Sequence, residues 1–198
     1  MLVDEKILIS YGAINEKFKS PELIFHEGGI PKFYYQLASG RVKLNHIDSD
    51  GKEFIQTVLT AGQSVCELML FIDEHYPVNA VVQTPVNVLK IPKMNFKKML
   101  EDHPSISVDI NKFLAERLYH KFIMVQNNAS LNPEVRLEGI LKYLKSFDDN
   151  QTPHSFEILL TRQELASTTG LRVETVIRAI KKMESKNMLK IENRKIFY

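Results

Sequence analysis

The segment from Thr161 to Arg178, TRQELASTTGLRVETVIR, constrains the fold more than any other part of the chain. Thr161 with Glu164 three residues later forms a capping box, in which the hydroxyl accepts from the Glu164 amide and the carboxylate reaches back to the Thr161 amide. A helix is therefore predicted to start at Thr161. Ala166 is small where a second helix has to come close, Gly170 supplies the turn, and Val176, Ile180 and Met183 recur at the spacing of one buried helical stripe. Two short helices joined by a tight turn are expected, with Arg172, Glu174, Thr175, Arg178, Lys181 and Lys182 on the outer face of the second. A hairpin follows, in which MLKI and KIFY flank Glu192-Asn193-Arg194 and bring Arg194 and Lys195 near its tip.

The outer face of that second helix carries the chemistry of a DNA groove. Arginine can fork onto guanine O6 and N7, and glutamate can accept from cytosine N4. Glu174 and Arg178 are four residues apart and project from one face. Lysine or arginine without a base partner holds phosphate instead, adding affinity and salt dependence but no sequence information. Lys181, Lys182, Arg194 and Lys195 fall in that class. A Glu and an Arg at this spacing also form weak surface pairs on many helices, so the pair gains meaning only from the capping box, turn glycine and hairpin around it.

Charge agrees with this reading. The whole chain of 198 residues carries +2, but from Ser155 onward nine basic residues face five acidic ones, which leaves +4 there and −2 on the rest. The single cysteine, Cys66, excludes an intrachain disulfide and any cluster built on several thiolates, and a reducing cytoplasm is the expected setting. No apolar run approaches the length needed to span a membrane.

Upstream, Gly29, Gly40, Gly51 and Gly62 recur at intervals of eleven. Between them FYYQL, RVKLNHI and EFIQTVL read as short strands, and further strands are expected at Asn79 to Gln83 and Val86 to Ile91. Asp50-Gly51 predicts a tight hairpin turn. The spacing suggests an antiparallel barrel or sandwich. After Pro92 the period lengthens to that of a helix, and Pro104 to about Asn127 aligns Ile110, Leu114, Leu118, Phe122 and Val125, with Ile106 and Phe113 beside them. That face exceeds what a small barrel can cover, so a second copy of the chain is the expected partner. The alternative is a helix lying wholly on its own barrel. The polar break from Asn127 to Pro133 marks a hinge and a boundary between domains at 1–131 and 132–198.

A small antiparallel β domain, a long central helix and a winged helix-turn-helix, in that order, resemble the Crp/Fnr family of bacterial transcription regulators. FHEGG, YYQLASGRVKL, DGKE, AGQSVCELMLF and LTRQELASTTGLRVETVIR look like successive family blocks. The resemblance implies an α+β fold with a cyclic-nucleotide-binding-like jelly roll, a homodimer paired through the central helices, and a roughly palindromic DNA site. It assigns base reading to Glu174 and Arg178 and phosphate contact to Thr161 and Gln163. Val173 stands where cyclic-AMP-responsive members have another arginine, and Arg172 occupies the cap of the reading helix, free to grip phosphate.

The effector pocket implied by the family falls at Cys66, Glu67 and Tyr76, with Lys121 and Phe122 on the central helix. Glu67 keeps the ribose-binding carboxylate, but Cys66 replaces the preceding glycine, and Tyr76-Pro77 lie at or beside the place of the phosphate-clamping arginine and its small hydroxyl neighbour. A buried phosphate without a cationic partner is severely penalised, so these residues point away from cyclic AMP and leave the effector unidentified. No cofactor is assigned; a haem on Cys66 and His75 is weighed against a buried structural cysteine and a surface histidine. RNA polymerase is a further candidate partner. An enzyme is disfavoured, because the six histidines lack ligand spacing and no nucleophile elbow or phosphate-cradling loop occurs. The remaining alternative is a regulatory β-barrel subunit acting through protein contacts.

Overall fold

The computed structural model describes residues 3–146, 148 and 150–198, which form two compact units, one running to Ala115 and one from Glu116 to Tyr198. The first opens with helix α1 (Glu5–Ser10), whose amides Lys6 and Ile7 are capped by the Asp4 carboxylate. Strands β1 (Ile14–Phe18), β2 (Leu23–Phe25), β3 (Phe33–Ile47), β4 (Glu53–Thr60) and β5 (Asn79–Pro92) make one antiparallel sheet in the order β1-β5-β3-β4, with β2 also on β5. Helix α2 (Lys93–Asp102) and the start of helix α3 (Pro104–Asn128) follow.

Three expectations need correction. FYYQL and RVKLNHI are one continuous strand, β3, and the two strands expected after Asn79 are likewise one, β5. Gly40 is not a turn between strands. It lies inside β3 at φ +84°, where the register against β5 shifts, and a Cβ there would meet the Pro85 carbonyl oxygen at 2.3 Å. Glycine is needed at this bulge because the strands approach too closely for a side chain. The hairpin at Asp50-Gly51 exists, but its loop spans residues 48–52 and only Gly51 takes positive φ. The Asp48 carboxylate organises it by accepting from the Asp50 and Lys52 amides. Strand β6 is short, Glu157–Ile158.

Two buried clusters fill the first unit. One gathers inward residues of β2 to β5, including Phe25, Tyr35, Leu37, Val42, Leu59, Val82 and Val88, together with Cys66 and Tyr76. The other joins Leu8, Tyr34, Ile91, Phe96 and Met99 to Ile106 and Ile110 of α3, with Leu114 packed against it. The apolar stripe of α3 thus divides. Its first half is core, whereas Leu118, Phe122 and Val125 are 56, 59 and 61% exposed.

In the second unit α3 ends at Asn128 and helix α4 (Pro133–Lys145) begins with Pro133 in its first turn and the Asn132 side chain accepting from the Glu134 amide. Helices α5 (Arg162–Thr169) and α6 (Val173–Ser185) come next, then the hairpin strands β7 (Lys190–Glu192) and β8 (Lys195–Phe197), with β6 completing a three-stranded sheet on β8. Among the described residues no helix is long and apolar enough to cross a membrane.

Candidate nucleic-acid interface and effector site

Helix α5 begins as its sequence requires. The Thr161 hydroxyl accepts from the Glu164 amide at 3.1 Å while the Glu164 carboxylate accepts from the Thr161 amide at 2.8 Å. Gly170 ends the helix at φ +68°, the left-handed conformation that lets the chain turn sharply into α6. Val176, Ala179, Ile180 and Met183 are buried, so the opposite face of α6 is fixed outward. Glu174, Arg178 and Lys181 stand exposed on it, and Thr175 is partly covered. Among the described residues no ion pair joins Glu174 to Arg178, although they lie one turn apart. Arg172 caps α6 without a side-chain hydrogen bond and is exposed. Gln163 is exposed beside Thr161 at the start of α5.

The hairpin turns through Asn193 and Arg194, at φ +50° and +66°, so that Arg194 and Lys195 sit at its tip. Two residues not singled out from the sequence hold this arrangement. Arg162 donates from its guanidinium to the Arg194 carbonyl at 2.9 Å, which ties the start of α5 to the wing. Glu134 of α4, almost fully buried, takes the ammonium groups of both Lys182 and Lys186. The Lys182 hydrogen bond, followed by that of Lys186, holds the Glu134 carboxyl below the usual carboxylate range. Lys182, expected among the phosphate-holding cations, is therefore engaged within the protein, as is Lys195 with Glu157 at 2.9 Å. Partners 48 and 52 residues apart in sequence leave no local signal, which is why the Glu134 clamp escaped the sequence reading.

The candidate effector residues divide between the units. In the first, Cys66 takes a left-handed conformation before a short 3-10 helix at Glu67–Leu70, and Glu67 is only 1% exposed, accepting from the Ser64 hydroxyl at 2.5 Å. Tyr76 is a core side chain. It is buried and stacked on Phe25, with ring centres 3.7 Å apart and planes within 9°. Burial pushes the Tyr76 phenol well above its ordinary range and the neighbouring Tyr35 up to about 12. Tyr76 also exchanges main-chain hydrogen bonds with the glycines of FHEGG, donating to the Gly29 carbonyl and accepting from the Gly28 amide. From Cys66 to Val78 there is no lysine or arginine. Cys66 is buried and His75 exposed. In the second unit Lys121 lies over the Tyr143 ring at 5.0 Å, and Phe122 faces outward.

Comparison with known proteins divides the chain at similar places. A cyclic nucleotide-binding domain family model matches residues 15–103, and a Crp-like helix-turn-helix domain model matches residues 135–197. The cAMP-activated global transcriptional regulator CRP of Haemophilus influenzae is 31% identical over 176 residues, covering 87% of this chain and 78% of that protein. The global nitrogen regulator of a Synechocystis strain is 28% identical over 188 residues, covering 91% and 82%. Among solved structures, a variant of CooA from Carboxydothermus hydrogenoformans shares the fold at a TM-score of 0.77 and 17% identity, covering 98% of this chain and 87% of that one.

Proposed function

The chain belongs to the Crp/Fnr family of transcription regulators, with a cyclic-nucleotide-binding domain and a DNA-binding helix-turn-helix, and from that premise we propose how it reads DNA and what gates it. Two copies pair through the exposed half of α3 and present their α6 helices to adjacent major-groove turns of a roughly palindromic site. Glu174 and Arg178 read base edges, while Thr161, Gln163, Arg172, Thr175, Lys181 and Arg194 hold phosphate and set the register. Lys182 and Lys195 join them by exchanging a protein carboxylate for a phosphate. The observation that carries this reading is the outward face of α6, where a carboxylate and a guanidinium stand exposed and unpaired among the described residues, on a helix anchored by its buried opposite face. Selection of bound fragments from random duplex DNA tests it. Two inverted half-sites one helical turn apart are expected, and enrichment of a single half-site or of no sequence would overturn the dimeric reading.

The effector site is proposed at Glu67 and Cys66 in the β domain, for a ligand other than cyclic AMP. What supports this is the lack of a cation from Cys66 to Val78 and the use of Tyr76 as a core side chain stacked on Phe25. A cyclic phosphate placed there would lose its water without gaining a charged partner. Calorimetric titration is expected to give no heat of specific binding with cyclic AMP at micromolar concentration. Saturable micromolar binding would sink the proposal. Whatever the ligand, it acts only through unequal affinity for two arrangements of the dimer, a coupling typically of about 1–3 kcal/mol.

A further inference from the structure

The second unit contains a cavity of about 540 Å³ that none of these roles uses. Its size is that of a site for a small organic ligand, about 300–1,000 Å³. Tyr119 of α3 and Tyr198 after β8 supply aromatic surface, and Lys142 and Lys145 of α4 bring two ammonium groups to the same space. His120, in edge contact with Tyr119, and His154 add two imidazoles. Among the described residues that line it there is no acidic side chain.

Lys145 is the telling member. It is 6% exposed, and its ammonium donates to the Thr152 carbonyl at 2.5 Å and to a main-chain oxygen of Tyr198 at 2.8 Å. An ammonium has three donors, and these two bonds leave one of them. Lys142 is held in its charged form chiefly by the Glu138 carboxylate one turn away, at 2.6 Å, while its side chain stays exposed. His154 sits at φ +59° and its Nε2 lies 3.2 Å from the carbonyl oxygen of Asn187, itself at φ +56°. A non-glycine residue with a large side chain is rarely held in that conformation unless its surroundings fix it.

Donors converging on a space with aromatic walls fit one kind of guest. We propose that this cavity is a ligand site, separate from the β domain, for a small aromatic anion: one ring bearing a carboxylate or a phosphate. The ring packs on Tyr119 and Tyr198, and the anionic group takes hydrogen bonds from Lys142, from the remaining donor of Lys145 and from the His154 imidazole.

Salicylate and phenyl phosphate are the probes, titrated into the full chain without DNA by calorimetry and followed on protein labelled at its methionine methyl groups. One saturable site per chain is expected for at least one probe, with a shift of the signal of Met188, which lines the cavity. The tighter of the two identifies the anionic group. Lys142→Gln combined with His154→Asn, an exchange that suits a left-handed backbone, is expected to weaken binding about tenfold or more through loss of charge-assisted hydrogen bonds. Lys142→Gln by itself, at an exposed side chain, is expected to weaken binding in the same direction with an unchanged melting temperature. The proposal is overturned by no binding of either probe at millimolar concentration, by binding that leaves Met188 unmoved, or by equally tight binding of uncharged benzyl alcohol.

Discussion

Replacing Glu174 and Arg178 together by alanine is expected to erase base preference while leaving the protein folded, dimeric and able to hold DNA non-specifically. Both side chains are exposed on α6, and the helix is seated by Val176, Ala179, Ile180 and Met183 on its other face, so their removal disturbs no packing. Each well-placed base contact discriminates by about 1–3 kcal/mol, and two-fold symmetry repeats it in the second half-site. The ratio of specific to non-specific affinity should therefore fall about a thousandfold or more, against a usual range of about 4–10 kcal/mol for the whole difference. Competition between a selected duplex and its scrambled counterpart, at one fixed salt concentration, measures this directly. Phosphate-holding residues should behave differently: their loss weakens both duplexes alike and reduces the salt dependence. Selectivity that survives the double substitution would return the chain to the rival reading, a regulatory subunit acting through protein contacts.

Changing Leu118 and Phe122 to alanine is expected to take the dimer apart. The first half of α3 needs no partner, because Ile106 and Ile110 are core residues of their own unit and Leu114 packs on them. Beyond Ala115 the stripe continues as Leu118, Phe122 and Val125, each more than half exposed, a seam that water covers unless a second copy does. Burying a leucine or phenylalanine stabilises by about 1.5–3 kcal/mol, and symmetry makes each change count twice. Four truncated side chains remove about 6 kcal/mol or more, raising the dimer dissociation constant about 10⁴-fold or more. Analytical ultracentrifugation across nanomolar to micromolar concentrations reads the change, and circular dichroism should show the protomer still folded. An unsubstituted protein that sediments as a monomer at micromolar concentration would remove the partner from the proposal, and with it the palindromic site.

Local chemistry was legible in the sequence wherever neighbours in the chain set the geometry. The Thr161–Glu164 capping box, the left-handed Gly170 and the buried Val176, Ile180 and Met183 depend on spacings of a few residues, and each stands as expected. The β domain, the long helix, the break before Pro133 and the basic hairpin follow from periodicity and turn chemistry in the same way. Strand extent did not, because Gly40 serves equally well as a turn or as a bulge, and only the approach of Pro85 from β5 decides between them. Only the tertiary structure divided the apolar stripe of α3 into a half spent on its own core and a half left open. It also engaged Lys182 with Glu134 and gathered Lys142, Lys145, His120 and His154 around one cavity. These groups are distant along the chain, and charge or apolar surface acts through space, so what each side chain can still bind is fixed only once folding has chosen its neighbours.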